Sequence, residues 1–194
     1  MLPRLFIVAA PLALLAACDS SPGADAPAAA PTAEPAPAPS AAPTPAASPT
    51  AGANTLMLEG LGDLRIGQAV PSGSTWAERG AQASDTCRTI NSPDYPGVYA
   101  IVEEGRVRRI TAGERSAVEL AEGIGVGASD KDVLAWFPFP ATPHEYQEAP
   151  ARYLTAPNAQ SGDPALRFEI GADGKVSLIH VGTMPVLGYV EGCA

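Results

Sequence analysis

From Asp19 to about Asn54 the chain is almost wholly alanine, proline, serine, threonine and glycine, with runs such as Ala36-Pro37-Ala38-Pro39 and Ala42-Pro43-Thr44-Pro45. Such a stretch has no apolar face to bury, and its prolines supply no backbone donor to a helix interior or a sheet ladder. It reads as a tether. Proline-rich linkers extend by about 3.1 Å per residue, so this one spans on the order of 100 Å when stretched and much less when relaxed. The alternative, a proline-rich ligand for another module, lacks the charged or aromatic neighbours that give such ligands specificity. The fold must therefore come from residues 55–194, about 140 residues and enough for one domain with its own core.

Ahead of the tether, Met1-Leu2-Pro3-Arg4 leads into Leu5 to Ala17, which carries no charge. A short basic region followed by a short apolar one is the pattern of an export signal. A spanning helix needs about 20 apolar residues, so this stretch is too short for a permanent anchor. It ends Leu15-Ala16-Ala17-Cys18, which resembles the lipobox of bacterial lipoproteins. The resemblance implies removal of residues 1–17, a diacylglyceryl group on the Cys18 thiol, and usually an acyl group on the freed amine. Two or more acyl chains hold a protein stably at a bilayer. An ordinary secretory signal that happens to contain a cysteine is the alternative. Asp19 resembles the retention signal that keeps enteric lipoproteins in the inner membrane, a rule that does not carry well to other bacteria. The expected location is a membrane surface facing the periplasm, inner or outer.

The formal net charge is -9, and the tether contributes only Asp19, Asp25 and Glu34 to its acids. The domain itself is acidic, which argues against nucleic acid and anionic lipid head groups as partners. The one local basic cluster is Arg106, Arg108 and Arg109. It lies in two β-prone runs, Val98 to Glu103 and Arg106 to Ile110, broken by Glu104-Gly105, the signature of a hairpin. Strict alternation places Arg106 and Arg108 on one face and Val107 and Arg109 on the other. A solvated face opposite the domain's own acids and an anion or partner contact are both compatible with that pattern.

The domain reads as saying the same thing twice. Leu64-Arg65-Ile66-Gly67 and the later Glu104-to-Gly113 run correspond to Gly123-Ile124-Gly125-Val126-Gly127 and the later Asp173-to-Gly182 run. Ser129 is an N-cap for a helix from about Asp130 to Phe137, with acids in its first turn and Pro138 closing it. Ser72 or Ser74 would open a weaker helix near 75–82. Strands are expected at 99–102, 107–112, 153–156, 166–170 and 175–181, with 188–191 as a closing strand. The expectation is an α+β fold of two tandem units, about 60–115 and 120–193, each a short helix on antiparallel strands. This pattern resembles the unit of the β-lactamase inhibitory proteins and of outer-membrane-assembly lipoproteins of the BamE/SmpA type. The ending Tyr189-Val190-Glu191-Gly192-Cys193 resembles that of a set of bacterial lipoproteins. Those families bind proteins through an open sheet face and loops, so the resemblance implies recognition without chemistry.

With Cys18 lipidated, Cys87 and Cys193 remain, and an even pair in an oxidising compartment favours a disulfide over two free thiols. Only His144 and His180 are present, so no histidine-rich metal site exists and no metal-ligand spacing is found. His144-Glu145-Tyr146 offers a general base, but no Gly-x-Ser-x-Gly elbow or Ser-x-x-Lys accompanies it. The glycines near Gly60 to Gly67 and Gly123 to Gly127 lack a Lys-Ser/Thr ending and read as turns. No cofactor is implied. Among the large aromatics, Trp136, Phe137 and Phe139, at the exit of the helix and spaced by prolines, are the candidate binding surface, with Arg106 and Arg108 as further candidates. The reading is a non-catalytic protein- or ligand-binding module of the cell envelope, tied to the bilayer through Cys18. A small periplasmic hydrolase whose site forms only in three dimensions is the rival.

Overall fold

A computed structural model describes residues 52–82 and 84–193. The expected signal at 1–17, the expected lipidation site Cys18 and nearly all of the segment read as a tether lie outside the described residues.

The strands follow the β-prone runs. A two-residue hairpin, β1 (Gly60–Leu61) and β2 (Leu64–Arg65), precedes an edge strand β3 (Ala77–Glu78) and then β4 (Cys87–Asn91), β5 (Val98–Glu103) and β6 (Arg106–Ala112). The helix α1 (Asp130–Trp136) leads to β7 (Ala141–Pro143), β8 (Arg152–Thr155), β9 (Ala165–Ile170) and β10 (Val176–Gly182). Glu104 and Gly105 both take positive φ, 54° and 73°, as the tight turn between β5 and β6 demands. Ser129 caps α1 as its position predicts. Its hydroxyl accepts from the Asp132 amide at 3.2 Å, and Asp130 and Asp132 sit in the first turn, where the helix dipole favours carboxylates.

The expected pair of tandem helix-on-strand units is overturned. β3 to β10 form a single eight-stranded antiparallel sheet in the order β3-β4-β5-β6-β10-β9-β8-β7, and α1 is the one α-helix among the described residues. Two four-strand meanders meet through their last strands, with Ile110 opposite Val181 and Ala112 opposite Ile179. Pairing β6 with β10 removes two exposed edges that would otherwise invite association, and no boundary between units survives.

Three local expectations fail with it. The stretch 75–82 is not helical, because its side chains bond elsewhere. The Thr75 hydroxyl meets Ser92 and Asp94 at 2.6 and 2.7 Å, Trp76 stacks on Tyr95, and Ala77–Glu78 pairs with β4. Residues 188–191 add no strand, since Val186–Gly188 forms a 3-10 turn and the chain then crosses the sheet as a strap. Arg109 and Val107 do not share a face, because a bulge shifts the register between Ile101 and Val102. The register pairs Val107 with Val102 and Arg109 with Ile101. A bulge inserts one residue and so reverses the alternation beyond it.

One face of the sheet carries the main core. Ala100, Ile110, Phe168, Ile170, Ile179 and Val181 belong to one buried cluster with Leu56, Leu61, Leu64 and Val133. Helix α1 therefore contributes a single fully buried side chain, Val133, and the N-terminal segment with its hairpin supplies much of the remaining cover. On the opposite face Cys87, Ile101 and Val186 form a smaller cluster beneath the strap. Cys87 and Cys193 are bonded, with Cα atoms 5.5 Å apart, as paired cysteines should be. The bridge fastens the end of the strap to the start of β4.

Candidate functional site

The exit of α1 builds one wall of a cleft. Phe137 caps the helix, its amide donating to the Val133 carbonyl at 2.7 Å. Pro138 has no amide to continue the ladder, and the Phe139 amide turns back to the Phe137 carbonyl at 2.7 Å. That turn points both rings toward Phe168 of β9. Ring centroids are 5.4 Å apart for Phe137 and Phe168, 6.3 Å for Phe139 and Phe168, and 5.5 Å for Phe137 and Phe139, within the range of favourable aromatic contacts. Both rings are half-buried, set against the core on one side and open on the other.

The second wall is the N-terminal segment. The Leu56 amide donates to the Glu119 carbonyl at 2.9 Å, and Met57 and Gly60 exchange two backbone hydrogen bonds of 3.0 Å. At Gly60 any Cβ would run into the Leu64 carbonyl, so this tight return requires glycine. The resulting cleft has a volume of about 330 Å³ and is lined by Leu56, Leu58, Leu120, Phe137, Phe139 and Leu166 among others. Leu58 is 45% exposed, a large apolar side chain left in solvent at the lip. Of the residues expected from the sequence, Phe137 and Phe139 meet in this cleft. Trp136 is 61% exposed and is not among the lining residues.

Arg106 and Arg108 are placed elsewhere. The Arg106 guanidinium donates to the Gly67 carbonyl at 2.8 Å, and Arg108 pairs with Glu104 at 3.1 Å. Each is engaged with the chain's own acceptors. Exposed pairs of this kind contribute little to stability.

Sequence reasoning missed a polar array under the strap. The Arg109 guanidinium is 1% exposed and donates to the Val186 carbonyl at 3.1 Å and the Tyr189 carbonyl at 2.6 Å. Burial pushes its pKa down. Farther along the same face, His144 stacks on Tyr153 with centroids 4.8 Å apart, and the Arg167 guanidinium lies 4.0 Å from the centre of the Tyr153 ring. His144 Nδ1 accepts from the Tyr146 and Gln147 amides at 3.0 and 3.1 Å, so its proton sits on Nε2, which donates to Glu169 at 3.0 Å. Both ring nitrogens are thus engaged in hydrogen bonds. The partners are 25 residues apart in the chain, and no local motif announces them. Among the described residues no group of three or more His, Cys, Asp or Glu is placed to hold a metal ion.

His180, also buried, meets the Thr111 hydroxyl through Nδ1 at 2.9 Å. Burial first, then the charges of Arg109 and Arg167, hold its pKa well below the usual histidine range. The unfolded chain takes up this proton near the ordinary pKa of about 6.5, whereas the folded chain does not. Stability contributed by neutral His180 is thus fully present above about pH 6.5 and is lost as the pH falls from there toward the folded pKa. The expected slope is up to about 1.4 kcal/mol per pH unit. Urea unfolding of the wild type and His180→Gln at pH 7.5, 6.5 and 5.5 checks it. A variant that loses as much stability on acidification as the wild type contradicts the assignment.

No family model matches the chain, and no curated protein or solved structure is significantly similar to it.

Proposed function

We propose that the chain is a periplasm-facing lipoprotein, anchored to a membrane through Cys18, whose domain is a non-catalytic binding module of the cell envelope. The observation that carries this reading is the cleft: an apolar recess with two aromatic rings fixed against Phe168 and an exposed Leu58 at its lip. Binding sites are typically concave, mostly apolar and already formed, with volumes of about 300–1,000 Å³, and this cleft lies at the small end of that range. The proline- and alanine-rich composition of 19–54 fits a spacer between the proposed anchor and the domain. The bonding of both nitrogens of His144 and the burial of His180 favour binding over acid-base chemistry at these residues.

A photoreactive amino acid at Leu58, activated in intact cells, tests the reading. Crosslinking to one defined envelope component is expected from Leu58 and not from Ala172, in the exposed turn between β9 and β10. The Ala121→Trp substitution, which places a large ring at the edge of the cleft, is expected to reduce that crosslink at least fivefold. Equal capture from Leu58 and Ala172, insensitive to Ala121→Trp, would refute the cleft as the binding site.

A further inference from the structure

We infer that the occupant of the cleft is a peptide segment of a partner protein that presents a large apolar side chain beside a lysine or arginine, an inference that rests on the binding reading above. The lining residues are apolar apart from Glu59, Glu122 and Asn158, so the ionisable groups at the site carry one sign only. Both glutamates are exposed, and neither takes part in an ion pair among the described residues. Two carboxylates without cationic partners beside a low-dielectric wall create a negative potential at the mouth of the recess, stronger than the same charges would create in open water.

That arrangement selects among apolar occupants. A fatty carboxylate or the phosphate of a phospholipid would bring a second negative charge to the rim, and the acidic domain as a whole repels it further. A polypeptide can place an aromatic or aliphatic side chain in the recess and a lysine or arginine at an adjacent position over Glu59 or Glu122. The Asn158 amide, neutral and exposed, can both donate to and accept from such a segment's backbone. The cleft volume of about 330 Å³ suits one such anchor with its immediate neighbours, and apolar anchors seated in pockets dominate peptide recognition. The rim charges act as the filter, and their effect should weaken as salt is raised.

The test uses the full chain and two photoreactive peptides, each carrying p-benzoylphenylalanine at its centre, one flanked by lysines and the other by glutamates. Adducts are mapped by mass spectrometry to the cleft segments 56–59 and 137–139. The lysine-flanked peptide is expected to label these segments at about tenfold lower concentration than its twin, as two exposed charge contacts imply. That preference is expected to fall below about threefold in the Glu59→Gln, Glu122→Gln double variant. Equal labelling of the cleft by both peptides overturns the inference and leaves the binding reading standing. A lysine preference unchanged in the double variant overturns the assignment to these carboxylates. Labelling of the cleft by neither peptide overturns both.

Discussion

Replacing Phe168 with alanine is expected to destabilise the domain by about 3–5 kcal/mol, the range for truncating a fully buried aromatic ring. Phe168 is fully buried on β9, between β8 and β10, where the backbone cannot close the gap without distorting two ladders. Its ring also supports Phe137 and Phe139, so the truncation removes the floor on which the cleft wall rests. Chemical denaturation should show a lower midpoint with little change in slope. Trp136→Ala, at an exposed position one residue before that wall, is expected to stay within about 0.5 kcal/mol of the wild type. A loss below about 1 kcal/mol for Phe168→Ala would mean that the aromatic cluster is not packed as described.

Removing the disulfide, by a Cys87→Ser, Cys193→Ser double substitution, is expected to cost about 2–5 kcal/mol. The bridge closes a separation of 106 residues, for which the chain-entropy account gives about 4.7 kcal/mol. The second consequence is local. The strap is also held by Arg109 through the Val186 and Tyr189 carbonyls and by hydroxyl contacts from Tyr189 to Glu103 and from Tyr146 to Glu191. Freed at its end, it should open before the sheet does. Hydrogen exchange should therefore accelerate at 186–193 while the amides of β9 and β10 stay protected. Exchange that rises uniformly over the whole sheet would show that the strap and the sheet unfold as one unit. Unchanged stability would refute the bridge as a stabilising element.

The parts of the fold legible in the chain are those decided by neighbours in sequence. Glu104-Gly105 marks a turn because tight hairpins need positive φ. Ser129 followed by two acids marks a helix start because unpaired amides and the dipole act within one turn. The Cys87–Cys193 pairing followed from counting cysteines. What stayed hidden depends on partners far away in sequence. Nothing near Ile110 or Val181 says that β6 and β10 will pair, and that pairing turns two expected units into one sheet. The stretch 75–82 was read by its own weak propensity, which the bonds of Thr75 to Ser92 and Asp94 override. Strict alternation set Arg109 on one face with Val107, until the bulge turned the two to opposite faces and the strap carbonyls claimed the guanidinium.

The cleft was half legible for the same reason. Phe137 and Phe139 lie at the helix exit, spaced by prolines that limit local collapse, which is local information. The opposite wall, from Leu56 to Glu59, lies about 80 residues earlier, and its place is set by a backbone bond from Leu56 to Glu119 that no periodicity encodes.

The most direct test of the account is whether the cleft takes up an apolar group at all, apart from any charge. Titrating the methyl-labelled protein with a capped, serine-flanked phenylalanine peptide, and following the methyl resonances by NMR, answers it. Saturable shifts are expected at Leu56, Leu58, Leu120 and Leu166, with Ile101 and Val186 under the strap unmoved. Shifts confined to Ile101 and Val186, or no saturable shift at the cleft methyls, would contradict the account.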